Sequence, residues 1–144
     1  MAGFAKKFES ATVEWPTPQD LFNKLDKEFN FTTDVAATKE NSKCLHYYTI
    51  DDDGLKQDWR GVCWMNPPYG RAMIEWLKKA INETWNGTTT VCLIPARTNT
   101  IWWHDLCQKY GEVRFVRGRP KFGGADHGLP QPLAIVIFNG RPKL

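Results

Sequence analysis

The stretch Val62-Cys63-Trp64-Met65-Asn66-Pro67-Pro68-Tyr69-Gly70 constrains this chain most. It opens as a short apolar run of the kind that suits a strand buried on both faces. It stops at two prolines, which have no N–H for a sheet ladder and a fixed φ. A stiff loop at the carboxyl end of a central strand is therefore expected, with a helix after it. In open α/β sheets ligands bind at that edge. Asn66 brings a side-chain carbonyl on a short arm, and Pro67 a backbone carbonyl in a rigid frame. Two converging acceptors suit an amino group with two N–H donors, and the ring of Tyr69 suits a planar partner. An aromatic base with an exocyclic amine meets both demands. The bland alternative is a proline-rich turn with a packed tyrosine.

The rest of the chain supplies a frame for that loop. Its 144 residues, 42% hydrophobic with seven tryptophans, suit a single domain over residues 1–144. Residues 1–12 read as a loosely attached arm. Thr17-Pro18 reads as a helix start, with Thr17 as cap, Pro18 in the first turn and Asp20 completing a capping-box-like pattern. The helix is expected to reach about residue 28. Residues 29–35 read as a strand ending at Asp34, followed by the small residues Ala36 and Ala37. An acid and small residues at a strand's carboxyl end suit a ligand carrying an ammonium group. Residues 44–50 read as a second strand or an extended segment. A helix is expected over 71–85, with Ile74, Leu77, Ala80, Ile81 and Trp85 as its core stripe and Gly87 as its stop. Residues 89–94 form a buried strand stopped by Pro95, and a helix capped by Thr100 or Asn99 follows to about residue 110. The alternation over 112–117 and the apolar run 132–138 predict two further strands, paired antiparallel across a glycine-rich loop.

Charge is uneven. From Arg97 onward there are eight basic residues against three acidic ones, in a chain of net charge +3. A basic final third suits a polyanionic partner, although ordinary solvated charge explains it as well. Arg97 itself suits a phosphate contact or an ion pair with an acid. Four scattered cysteines and three scattered histidines show no ligand spacing, so reduced thiols and no metal are expected. No apolar run is long enough for a membrane span, and a cytoplasmic protein is expected.

Asn66-Pro67-Pro68-Tyr69 resembles the catalytic motif of the S-adenosylmethionine-dependent amino methyltransferases. Together with Trp15-Pro16-Thr17-Pro18, Asp34-Val35-Ala36-Ala37, Asp53-Gly54-Leu55 and Gly118-Arg119-Pro120-Lys121-Phe122, it makes the chain resemble the phage-type DNA N-6-adenine methyltransferases, the Dam family. The resemblance runs from about Trp15 to Phe138. It implies a Rossmann-like α/β methyltransferase fold, mostly parallel, with one antiparallel strand near the C-terminal end. It implies S-adenosylmethionine as cofactor, held by Thr17 and Pro18 at the methionine part, by Asp34, Val35 and Ala36, and by Asp53 and Leu55 at the adenine, with Asn66 alongside. Asp51 is a candidate for the ribose. Catalysis falls to Asn66, Pro67, Pro68 and Tyr69. The DNA substrate falls to Tyr69 and Phe122 on either side of a flipped adenine, with Arg97, Arg119 and Lys121 near the backbone. A monomer or weak homodimer is expected, in a host cytoplasm if phage-encoded. Two features keep other readings open. Asn-Pro-Pro-Tyr also serves on RNA bases and on protein glutamine. The family's glycine-rich turn is replaced here by Ala36-Ala37, which fits a DNA-binding protein that has lost catalysis.

Overall fold

The computed structural model describes residues 17–118 and 131–140. Among them, six strands form one sheet in the order β2-β1-β3-β4-β6-β5. These are β1 (Thr33–Asp34), β2 (His46–Tyr47), β3 (Val62–Met65), β4 (Thr89–Pro95), β5 (Glu112–Phe115) and β6 (Leu133–Phe138). β1 lies parallel to β2 on one side and to β3 on the other, and β3 is parallel to β4. β6 runs antiparallel to both its neighbours, β4 and β5. The mostly parallel α/β sheet with a reversed strand near its end is thus the one expected.

The centre of the sheet is apolar because β4 and β6 are buried along almost their whole length. Their pairing sets Val91 opposite Ile137 and Leu93 opposite Ile135. Each such side chain contributes about 1.5–3 kcal/mol on full burial. β5 at the edge is largely exposed. Helix α1 (Gln19–Phe29) lays Phe22 edge-on against Trp64 of β3, at 5.4 Å between ring centroids. Helix α2 (Met73–Glu83) buries Met73, Trp76, Leu77 and Ala80. A helical segment at 101–110 is wound as a π-helix over Trp103–Gln108 and buries Trp103 and Cys107. Trp103 takes its capping hydrogen bond from backbone N–H to Thr100 Oγ1, 3.3 Å, as the sequence suggests. Cys63, Cys92 and Cys107 are buried free thiols, and Cys44 is half-buried.

Several expectations need correction. α1 starts at Gln19 with Pro18 as cap residue and no side-chain cap bond, so Thr17 is not the cap. α1 also runs through Phe29 and ends on Asn30 in the left-handed region, which leaves only Thr33–Asp34 as strand. The strand read over 44–50 shrinks to His46–Tyr47. The stripe on α2 does not reach Trp85, which is 88% exposed. There the chain tightens into a 3-10 turn at Thr84–Asn86, with Thr84 Oγ1 donating to the Ile81 carbonyl at 2.6 Å. Three residues per turn rotate Trp85 away from the face that 3.6 residues per turn predicts. The 1–12 arm lies outside the described residues.

Candidate active site

β1 sends the chain to β2 on one side, and the later strand β3 lies on its other side. The sheet order therefore reverses direction at β1 and β3, the place where such sheets open a crevice beyond their carboxyl ends. Asp34 is the last residue of β1, and Asn66 follows Met65, the last residue of β3. Both line a cavity of about 670 Å³, within the range typical of small-molecule sites.

The ladder continues past the strand ends and holds this rim together. Val35 N–H donates to the Trp64 carbonyl at 3.1 Å, Tyr48 N–H to the Asp34 carbonyl at 3.0 Å, and Ala37 N–H to the Tyr48 carbonyl at 3.0 Å. The Asp34 carboxylate accepts from Lys43 N–H at 3.0 Å and from Ala36 N–H at 3.3 Å. Its side chain is nonetheless buried, and desolvation outweighs those donors, so its carboxyl is pushed up to about 6. A buried carboxylate held in that way is poised for a cationic partner. Ala36-Ala37 does not close the cavity, since both residues line it.

The close approach that a glycine would provide comes from another loop. Gly54 opens the 3-10 turn Gly54–Lys56, and a Cβ there would lie 2.3 Å from the Val35 carbonyl and 2.9 Å from the Trp76 ring. Trp59 clamps the turn by donating from Nε1 to the Gly54 carbonyl at 2.8 Å. It stacks on Trp76 with ring centroids 6.1 Å apart. Trp76 in turn lines the cavity. Gly54 falls within the Asp53-Gly54-Leu55 word that carries the resemblance, although no role attaches to it there, and sequence pattern does not single out Trp76.

Of the expected cofactor residues, Thr17, Asp34, Val35, Ala36, Asp53 and Asn66 line the cavity, and so does Asp51. Asp53 stands at φ 55 just before the 3-10 turn. Leu55 and Pro18 do not line it; Leu55 is half-buried and packs on the hydrophobic core. Within the motif, Pro68 reaches the cavity while Pro67 is buried beside it. Gly70 at φ 108 turns the chain out of the motif toward α2, a backbone conformation that other residues rarely adopt. Asn66 Nδ2 donates to Thr17 Oγ1 at 3.0 Å, joining the two segments across 49 positions of sequence.

Tyr69 is placed differently from the simplest picture of an open stacking platform. It is 6% exposed, does not line the cavity, and donates from its hydroxyl to the Leu93 carbonyl of β4 at 3.2 Å. Burial holds its phenol well above the ordinary range. Arg97 is exposed beyond β4 and makes no salt bridge among the described residues. Phe122, Arg119 and Lys121 lie outside the described residues, as do Trp15 and Pro16. No cluster of three or more His, Cys, Asp or Glu that could hold a metal occurs among the described residues. No helix among them is long and apolar enough to cross a membrane.

Fold and site define an α/β protein with a cavity at the carboxyl edge of a parallel sheet and an amide-bearing loop on its rim. The family description of DNA N-6-adenine-methyltransferase (Dam) matches residues 5–132. The chain is 30% identical over 105 residues to the DNA N-6-adenine-methyltransferase of Escherichia phage T1, covering 71% of this chain and 44% of that protein. It is 32% identical over 134 residues to the DNA N-6-adenine-methyltransferase of Haemophilus phage HP1 (strain HP1c1), covering 86% of this chain and 77% of that protein. The match thus spans less than half the length of the phage T1 protein and about three quarters of the phage HP1 protein. The chain belongs to the DNA N-6-adenine-methyltransferase (Dam) family.

Proposed function

We propose that this chain is a Rossmann-like methyltransferase that moves a methyl group from S-adenosylmethionine to the exocyclic N6 amine of adenine in DNA. One observation carries the reading beyond family membership. Asp34 and Asn66, from neighbouring strand ends, face one cavity at the point where the sheet order reverses. The residues fit the cofactor. Asp34 offers a buried carboxylate to an ammonium, Asp53 and Asp51 offer acceptors further along, and Trp76 offers an aromatic wall. When bound, S-adenosylmethionine supplies an electrophilic methyl on a sulfonium.

The protein's own residues do the rest by placement. A target adenine inside a duplex is out of reach, so the base is flipped out of the stack. Asn66 Oδ1 and the Pro67 carbonyl accept from its amine, which makes the nitrogen lone pair more available. Tyr69 holds the ring by stacking. Its side chain is nearly buried, so the base gains that face only after the covering is displaced. Arg97, Arg119 and Lys121 serve the phosphate backbone. Nothing in this scheme needs a nucleophilic cysteine: none lies within Asn66-Pro67-Pro68-Tyr69, and burial raises the pKa values of Cys63, Cys92 and Cys107.

The test offers methyl-labelled S-adenosylmethionine to the protein with duplex DNA, RNA or whole-cell protein. Label recovered as N6-methyladenine in DNA, and lost in Asn66→Ala at unchanged cofactor affinity, is the expected result. Label confined to RNA or to glutamine, or full activity in Asn66→Ala, would overturn it.

A further inference from the structure

Thr17 precedes a helix that it does not cap. It is 6% exposed, and its hydroxyl accepts from Asn66 Nδ2 at 3.0 Å. A carboxamide has two ends of nearly equal size and opposite polarity. Only one orientation is useful toward an amine. Oδ1 can accept from an N–H, whereas Nδ2 in the same place would set donor against donor. With Nδ2 committed to Thr17, Oδ1 occupies the other corner of the amide.

We propose that Thr17 is a positioning residue for methyl transfer, its hydroxyl fixing the Asn66 amide so that Oδ1 is the atom presented to the incoming amine. This rests on the role given to Asn66 above. It differs from the contact to the cofactor's methionine part that family resemblance implies for Thr17.

Both partners are held rigidly enough for the purpose. Thr17 is β-branched, which restricts its χ1 angle, and it precedes Pro18, which restricts its backbone to the extended region. α1 begins at Gln19 and is pinned to β3 through Phe22 on Trp64, two residues before Asn66. The threonine and the amide are therefore tied to the same strand from two directions.

The test compares Thr17→Val, which keeps the shape and removes the hydroxyl, with Thr17→Ser, which keeps the hydroxyl. Cofactor Kd is measured by calorimetry and kcat at saturating cofactor on duplex DNA. Melting temperature is recorded for each variant, and Thr17→Ala replaces Thr17→Val if the latter does not fold. Because small misplacements of reacting groups cost up to about 100-fold, Thr17→Val is expected to lower kcat about tenfold to 100-fold. Its cofactor Kd should stay within about threefold of wild type, and Thr17→Ser should keep kcat within about threefold. The same pair is repeated with Asn66→Asp. A carboxylate has two equivalent acceptor oxygens and no orientation to fix, so there Thr17→Val should cost less than about threefold in kcat.

Unchanged kcat in Thr17→Val overturns the proposal. So does a weaker cofactor Kd with intact kcat, or an equal fold-loss in both backgrounds. Failure of the underlying reading looks different: wild-type protein would not label DNA, or Asn66→Ala would remain fully active.

Discussion

At the scale of single residues, Asp34 links the site to pH. Its folded pKa, about 6, lies above the ordinary carboxylate value of 3.8 because burial penalises the charged form. Such a group binds its proton more tightly folded than unfolded, so its share of stability is greatest below about pH 4. That share declines as pH rises from 3.8 to about 6, by about 3 kcal/mol in all. A cationic ligand favours the ionised form, so binding should release a proton in the same window. Calorimetry at pH 5.5 in buffers of different ionisation enthalpy should show proton release, and Asp34→Asn should abolish it. Tyr69 offers a second residue-level separation. Tyr69→Phe keeps the ring and loses the bond to the Leu93 carbonyl, which costs about 0.5–1.5 kcal/mol by urea denaturation. It should retain methyl transfer within about tenfold, while Tyr69→Ala should lose it.

At the scale of elements, the short 3-10 turn Gly54–Lys56 does for the cavity what a glycine-rich turn after β1 would do. It lets backbone approach the end of β1 closely, at the Val35 carbonyl. Gly54→Ala places a methyl group against the Val35 carbonyl and the Trp76 ring. It should destabilise the fold by about 1–3 kcal/mol. It should also weaken cofactor binding, both readable in one calorimetric and denaturation series. The proline stop after Met65, the buried strand before Pro95, the Thr100 cap and the apolar run of β6 are legible in the sequence because local chemistry dictates them. β1 is shorter than its apolar run because Phe29 and Phe31 serve ring packing instead, and β2 is shorter because Leu45 and Ile50 beside it face solvent. Phe31 stacks on Phe22 at 5.3 Å and approaches Trp64 at 5.5 Å, so it belongs to the core without belonging to a ladder. Hydropathy reports such burial but not the partner that provides it.

At the scale of the whole molecule, the sheet order sorts the chemistry. Residues between 17 and 76 line the cavity, and among the described residues Arg114 lies on β5 at the other end of the sheet, with Arg117 just beyond it. The motif loop was legible because its function needs consecutive residues. Trp59, Trp76 and the close approach made at Gly54 are not legible in the sequence, because their meaning arises only when two loops and a helix meet. Arg97 gives a global readout: if it holds a phosphate, Arg97→Gln should lower the slope of log affinity for DNA against log salt by about one. Trp85, by contrast, should be a spectator. Trp85→Ser is expected to shift stability by no more than about 0.5 kcal/mol in urea denaturation, against the several-fold larger loss normal for a core tryptophan.

The three buried thiols carry a practical consequence. Cys63 stands on β3, Cys92 on β4 and Cys107 on the π-helix, all fully shielded. Burial pushes Cys63 and Cys107 up to about 12 and raises Cys92 well above the usual thiol value, so the reactive thiolate is scarce at neutral pH. Their modification by an alkylating reagent therefore requires the sheet centre to open. The labelling rate of the native protein becomes a clock for that opening, and a bound ligand that bridges β1 and β3 should slow it.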